Sequence, residues 1–277
     1  MNAGDRRKFI LEKLNIERSI SVKDICGELS VSFPTIRNDL EVLEQSGHII
    51  RTFGGAILNE QGNQGNKNDA HENDSNVIPY GFRISRHHDN KVRIGHIAAS
   101  LVSDCDIIFL DAGTTVFQIL DGIVAKKTEK LVVLTNSLNV CTYLMTMQNI
   151  VHNLMGGSVR PVSMATVGFR TIDEIKRCRV NKAFLGADGM NAEGFTVQDI
   201  NEAMTKQAMM EIAAEKYLLA DSSKINNPTF IEVAKFESLD AVITENGIFR
   251  IDRENRENIV DSIARINSQK CNNFGGG

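Results

Sequence analysis

Val31-Ser32-Phe33-Pro34-Thr35-Ile36-Arg37-Asn38-Asp39-Leu40 is a stretch suited to a helix that buries one face and offers polar side chains on another. Ser32 is a good N-cap residue, and Pro34 falls in the first turn, where backbone N–H groups have no intrahelical partner to lose. At roughly 100° per residue, Ile36, Leu40 and Leu43 share a stripe, whereas Thr35 and Asn38, with Arg37 nearer the flank, lie off it. Such side chains read phosphates and base edges in a major groove, Arg toward guanine and Asn toward adenine. Any surface helix has a polar face, so the neighbouring sequence decides. Upstream, Ser21-Val22-Lys23-Asp24-Ile25 opens a short helix ending near Leu29, and the four residues from Leu29 to Ser32 leave room only for a tight turn, which is helix-turn-helix spacing. Downstream, Ser46-Gly47 ends the helix and Ile49-Ile50 begins an extended run. Arg51-Thr52-Phe53-Gly54-Gly55-Ala56 then carries the glycine pair of a hairpin tip, a small wing. Arg6 to Ile16 supplies a first, supporting helix.

Beyond the wing the composition changes. Asn59 to Val77 is almost devoid of apolar residues and reads as a flexible linker. After Pro79 helix and strand alternate. Lys91 to Val102 carries Ile94, Ile97, Ala98 and Leu101 at i, i+3, i+4 and i+7. Short apolar runs follow at 107–110, 131–134, 151–155, 183–185, 217–220 and 241–244, and Asp252 to Asn267 reads as a closing helix. This order predicts a largely parallel sheet covered on both faces. The expected organisation is a winged helix-turn-helix domain over 1–58, a linker over 59–79, an α/β domain over 80–270 and a disordered tail over 271–277.

In an open α/β sheet, ligands bind beyond the carboxyl ends of the strands. The segments there are Asp111-Ala112-Gly113-Thr114-Thr115, Thr135-Asn136-Ser137, Met155-Gly156-Gly157-Ser158, Gly186-Ala187-Asp188-Gly189 and Asp221-Ser222-Ser223-Lys224. Turn geometry alone explains any one of them. Together their small residues, hydroxyls, carboxylates and one lysine suggest a pocket for a polyhydroxylated, phosphorylated ligand. Carboxylates would accept from sugar hydroxyls, and Lys224 and helix N-termini would take the phosphate. The candidate effector residues are Asp111, Gly113, Thr114, Thr115, Thr135, Asn136, Ser137, Gly156, Gly157, Asp188 and Lys224. No P-loop or dinucleotide fingerprint is present, so a nucleotide is disfavoured and no cofactor is expected.

Composition bounds the rest. Among 277 residues, 42% are hydrophobic and 24% charged, ordinary for a globular protein. The chain lacks the roughly 18-residue apolar run a membrane span needs, and its first residues are too polar for a secretion signal, so a cytoplasmic location is expected. The five cysteines are widely spaced without a CxxC pair and read as reduced thiols, with no zinc site. His87-His88-Asp89 are adjacent and point to different sides, so no metal site is expected there either. The net charge is −4, and through Leu58 eight basic residues meet eight acidic ones. A neutral DNA-binding head implies reliance on two half-sites, hence a homo-oligomer, a dimer or tetramer.

The residues from Arg6 to Ala56, with Ser32, Thr35-Ile36-Arg37, Asp39-Leu40, Gly47, Arg51 and Gly54-Gly55-Ala56, closely resemble the N-terminal domain of the DeoR family of bacterial transcriptional regulators. Where that family usually has two arginines, this chain has Arg37-Asn38, which removes one positive charge from the DNA face. The strand-end segments, together with Gly168, match the family's sensor domain in order. The resemblance implies a sensor similar to ribose-5-phosphate isomerase that binds a phosphorylated sugar. It also implies a reading head in which Ser32, Thr35, Arg37, Asn38 and Arg51 face operator double-stranded DNA. The resulting expectation is a repressor of a sugar-metabolism operon, with no catalytic residues. The alternative is an aldose–ketose phosphate isomerase with an accessory N-terminal domain. Those enzymes tend to have Gly-Ala-Asp-Glu followed by a further acid, where this chain has Gly189 and Asn191, so the neighbourhood of a carboxylate base is depleted.

Overall fold

A computed structural model of the chain describes residues 3–17, 19–46, 48–52, 55–58, 80–147 and 149–251. The expected linker, tail and closing helix, and the two residues at the hairpin tip, lie outside them. The chain divides into two units, Met1–Ser85 and Arg86–Gly277, so Tyr80–Ser85 groups with the first.

In the first unit, α1 (Ala3–Glu17) is followed by β1 (Ser19–Ser21), α2 (Val22–Leu29), α3 (Phe33–Gln45), β2 (Ile49–Thr52), β3 (Gly55–Leu58) and α4 (Tyr80–Ser85). The side chain of Ser21 caps α2 by accepting from the Lys23 N–H at 3.2 Å. Ser30 at φ 52° reverses the chain toward α3. The predicted stripe of α3 is buried: Ile36, Leu40 and Leu43 pack with Ile10 and Leu14 of α1, Ile25 of α2, and Ile49 and Ala56 of the wing. Each fully buried aliphatic side chain contributes about 1.5–3 kcal/mol, so this one cluster holds three helices and a sheet together. Strands β2 and β3 form the expected antiparallel wing, and β1 adds a third strand against β3. A Cβ at Gly55 would overlap the Ile20 carbonyl, so this close pairing requires glycine.

In the second unit, α5 (His88–Ala99), β4 (Ile107–Leu110), α6 (Thr114–Phe117), α7 (Ile119–Lys126), β5 (Val132–Thr135), α8 (Leu138–Leu144) and β6 (Val151–Leu154) are followed by the hairpin β7 (Ser158–Arg160) and β8 (Ala165–Val167). Next come α9 (Phe169–Lys176), β9 (Val180–Gly186), β10 (Gly189–Met190), β11 (Gly194–Val197), α10 (Ile200–Ile212), β12 (Ala213–Leu219), β13 (Ile231–Lys235), β14 (Ala241–Thr244) and β15 (Gly247–Arg250). The main sheet has order β15-β14-β12-β9-β4-β5-β6 and is parallel except for β15. Its central strands bury both faces, which is why they read as continuous apolar runs. Phe109, Leu185, Leu218 and Val242 share one cluster with Ala208 and Met209 of α10. The alternate residues Phe184 and Tyr217 stack across neighbouring strands, with ring centroids 5.4 Å apart. Three features had no expectation in the sequence: the antiparallel edge β15, the hairpin β7–β8, and a small sheet of order β10-β11-β13. Their strands carry no run of three consecutive apolar residues.

Candidate functional site

On α3 the polar side chains divide sharply. Ser32, Arg37 and Asn38 are exposed and Thr35 is half-buried, whereas the next residue, Asp39, is 2% exposed. Asp39 accepts from Arg6 Nε at 2.6 Å and lies 3.4 Å from Arg7 Nε. Lys13 pairs with Glu28. The balanced charges of this unit are therefore sorted in space, with Arg6, Arg7 and Lys13 engaged by internal carboxylates and Arg37 exposed on α3. Ser32 occupies the N-cap position but does not cap with its side chain; its Oγ lies 2.8 Å from Thr35 Oγ1, so one of the two hydroxyls donates to the other. Arg51, on β2, is held toward α3: its N–H donates to Glu44 Oε1 at 3.3 Å and its Nη1 lies 3.9 Å from Glu44 Oε2. Burial pushes the Glu44 carboxyl above its ordinary value, opposed by the Arg51 N–H and charge and reinforced by Glu41.

In the second unit the strand ends converge on Asp111, at the end of β4. Its Oδ2 accepts from the Gly186 N–H at 2.8 Å, tying β4 to β9, and from the ammonium of Lys206. Lys206 lies on α10 and is buried, as is Asp111. One turn earlier on α10, Glu202 Oε1 accepts from Arg160 Nη1 at 3.0 Å, and the helix N-cap Asp199 lies 3.6 Å from Arg160 Nε. Arg160 is itself buried on β7. The β7–β8 hairpin reaches the same edge of the sheet. Thr166 N–H donates to the Asn136 carbonyl at 2.8 Å, and Ala165 and Val167 pack on Ala112. Two buried cations, Lys206 and Arg160, thus lie at the strand ends, each held by carboxylates. Sequence reasoning missed both. Lys206 could have been found as a charge three residues from the buried Ala203 on α10; Arg160 sits in a strand too short to signal anything.

The other expected residues have definite roles. Thr114 and Thr115 are buried in α6, but α6 is a single turn, so the helix-dipole part of the anion argument is weak there. Gly113 backs onto Gly186. Thr135 Oγ1 donates to the Leu110 carbonyl at 2.6 Å and accepts from the Ser137 N–H at 3.0 Å, while Ser137 Oγ caps α8. The Thr135 hydroxyl is therefore committed in both roles and Ser137 Oγ as an acceptor; the buried Asn136 Oδ1 has no hydrogen-bond partner among the described residues. Gly156 donates its N–H to Glu174 Oε2 at 2.6 Å, and Gly157, at φ 148°, leaves room for Thr171, whose hydroxyl donates to the Gly156 carbonyl at 2.8 Å. Asp188 Oδ2 accepts from the Gln198 N–H at 3.1 Å. Lys224 closes a 3₁₀ turn capped by Asp221, and its half-buried side chain forms no hydrogen bond or ion pair with the described residues. Asp221 Oδ2 is buried without a hydrogen-bond partner among the described residues.

Not all of these residues share one place. The strands leading to Gly157 and Lys224, β6 and β12, are four positions apart in the sheet. At about 4.8 Å per strand their ends are about 19 Å apart, so the residues after β6 and those after β12 lie at separate places along the sheet. Among the described residues there is no cluster of His, Cys, Asp or Glu suited to a metal ion, and no helix long and apolar enough to cross a membrane.

Residues 6–62 match the family model of the DeoR-like helix-turn-helix domain, and residues 86–246 that of the DeoR C terminal sensor domain. Among curated proteins, the chain is 33% identical to the lactose phosphotransferase system repressor of Lactococcus lactis subsp. lactis, over 90% of this chain and 93% of that one. It is 32% identical to the HTH-type transcriptional repressor GlcR of Bacillus subtilis (strain 168), over 88% and 89%, and 30% identical to the HTH-type transcriptional regulator IolR of the same strain, over 82% and 84%. Among solved structures, translation initiation factor eIF-2B of Pyrococcus horikoshii OT3 aligns with TM-score 0.46 and 19% identity over 62% of this chain and 68% of that one. Ribose 5-phosphate isomerase of Plasmodium falciparum aligns with TM-score 0.36 and 13% identity over 48% and 51%.

Proposed function

Because the chain belongs to the DeoR family of transcriptional regulators, we propose that it is a repressor of a carbohydrate-use operon, bound to operator double-stranded DNA until a phosphorylated sugar occupies its sensor domain. It is a regulator and not an isomerase. The observation that carries the DNA-binding part is the division of α3: a fully buried apolar stripe fixes the helix, and Arg37 and Asn38 project from it into solvent. Ser32, Thr35 and Arg51 flank that pair, suited to phosphate contacts that fix the register. The relatives named as a lactose phosphotransferase system repressor and as GlcR support repression and a sugar-linked signal. The acceptor-rich centre around Asp111, Asn136 and Asp188 suits sugar hydroxyls, and Lys224 suits the phosphate. The protein acts in the cytoplasm as a homo-oligomer, in which two reading heads engage two half-sites and offset the modest charge of each.

The test uses the purified full chain. Duplexes enriched from a random pool give the preferred DNA site, and the complex is then challenged with pentose and hexose phosphates and with the parent sugars. Release by a phosphorylated sugar, and not by its parent, is expected. Failure to enrich any duplex would sink the DNA-binding half; stable binding that no sugar phosphate disturbs would sink the sensor half.

A further inference from the structure

We propose that Phe33 reads the 5-methyl group of a thymine in the major groove, a base-specific contact in addition to those of Arg37 and Asn38; the inference rests on the DNA-binding reading above. Among the described residues of the first unit, Phe33 is the one large apolar side chain left exposed, 49% accessible, while Ile36, Leu40 and Leu43 of α3 turn toward the buried cluster. It occupies the first position of α3, with exposed Pro34 beside it. The N-terminal residues of a recognition helix are the ones that meet base edges. Phe33 stands one turn before Arg37 and Pro34 one turn before Asn38, so an apolar tip continues the same faces that carry the polar readers.

The chemistry of Phe33 and Pro34 suits a methyl group better than a phosphate. Pro34 has no N–H to donate, and the hydroxyls of Ser32 and Thr35 bond to each other at 2.8 Å. Phe33 and Pro34 therefore offer apolar surface and no side-chain donor, beside a Ser32–Thr35 hydroxyl pair that keeps one proton for a phosphate. Among base edges in the major groove, the thymine methyl is the apolar feature, and phenylalanine is among the side chains that pack on it. Burying one methyl-sized group is worth about 0.8 kcal/mol, about fourfold in affinity.

Deoxyuridine lacks this methyl and keeps the hydrogen-bonding edges of thymine. In a duplex enriched by the full-length chain, each thymine is replaced singly by deoxyuridine and affinity is measured for the parent protein, Phe33→Ala and Arg37→Ala. At one thymine in each half-site, the parent and Arg37→Ala should lose about fourfold in affinity, whereas Phe33→Ala should bind both duplexes equally. A parent protein indifferent to every replacement, or a Phe33→Ala variant that keeps the discrimination, overturns the assignment and leaves DNA binding standing. A pool that yields no enriched duplex removes the DNA-binding reading and this inference with it.

Discussion

Asn38 and Asp39 are adjacent in the chain and have opposite roles, because a helix turns them to different sides. Asn38 faces solvent; Asp39 is buried between α1 and α3, where Arg6 and Arg7 neutralise it. Asn38→Ala should leave stability unchanged and weaken operator binding by about 1–3 kcal/mol, read by titration of a labelled duplex. Asp39→Ala should instead lower the unfolding free energy by about 1.5–3 kcal/mol, read by urea denaturation, since it removes the buried carboxylate that accepts from Arg6 and pairs with Arg7. Glu44 offers a pH test. Its folded-state pKa is raised above 4.5, chiefly by burial, so the fold favours the protonated form. That contribution is fully present below the unfolded value and is lost as pH rises through the folded one. Between about pH 4 and pH 7 the parent should therefore lose stability relative to Glu44→Gln. Parallel pH profiles for the two proteins would refute this.

At the scale of elements, α10 is the strut of the second unit. Its cap Asp199 accepts from the Glu202 N–H at 2.9 Å, Glu202 holds Arg160 of the hairpin, and Lys206 reaches Asp111 at the end of β4. One helix therefore binds a hairpin and a strand end through charges that are largely excluded from water. A buried pair contributes little beyond a well-packed apolar replacement, but breaking it from one side is costly. Lys206→Met should destabilise the second unit by about 3–5 kcal/mol in urea unfolding, and adding Asp111→Asn should restore most of the loss by removing the stranded charge. Equal losses in the single and double variants would show that packing of the lysine stem, and not the ion pair, is the dominant effect.

At the scale of the whole molecule, the proposed regulation requires that sugar phosphate and DNA prefer different states of the chain, and the coupling is the same seen from either ligand. A roughly 100-fold loss of operator affinity requires about 2.7 kcal/mol of such coupling. Lys224→Ala and Thr114→Val lie outside the reading head. Both should bind operator normally and keep it at sugar-phosphate concentrations that release the parent; calorimetry should show weakened effector binding. Normal effector affinity in both variants would move the phosphate site elsewhere, with Arg160 and Lys206 the next cations to examine. The division at Ser85 and Arg86 further predicts that residues 1–85 and 86–277, expressed apart, each unfold cooperatively. A fragment without a cooperative transition by circular dichroism would show that the units depend on each other.

Local periodicity determined much of this protein in advance. The stripe Ile36-Leu40-Leu43, the tight turn before Ser32, the wing strands and the six apolar runs of the sheet are repeated patterns, and repetition over a turn or a strand suffices to specify an element. The strand-end position of Asp111 followed from the parallel sheet alone. Tertiary structure decided what those residues do. Thr135 and Ser137, read as ligand hydroxyls, bond to their own backbone, and Gly156 gives its N–H to Glu174. Lys206 and Arg160 reach the strand ends from 95 residues beyond Asp111 and 42 residues before Glu202, respectively. A hydrogen bond or buried ion pair at such separation leaves no period in the chain. It depends on where packing brings two side chains together and excludes water from between them.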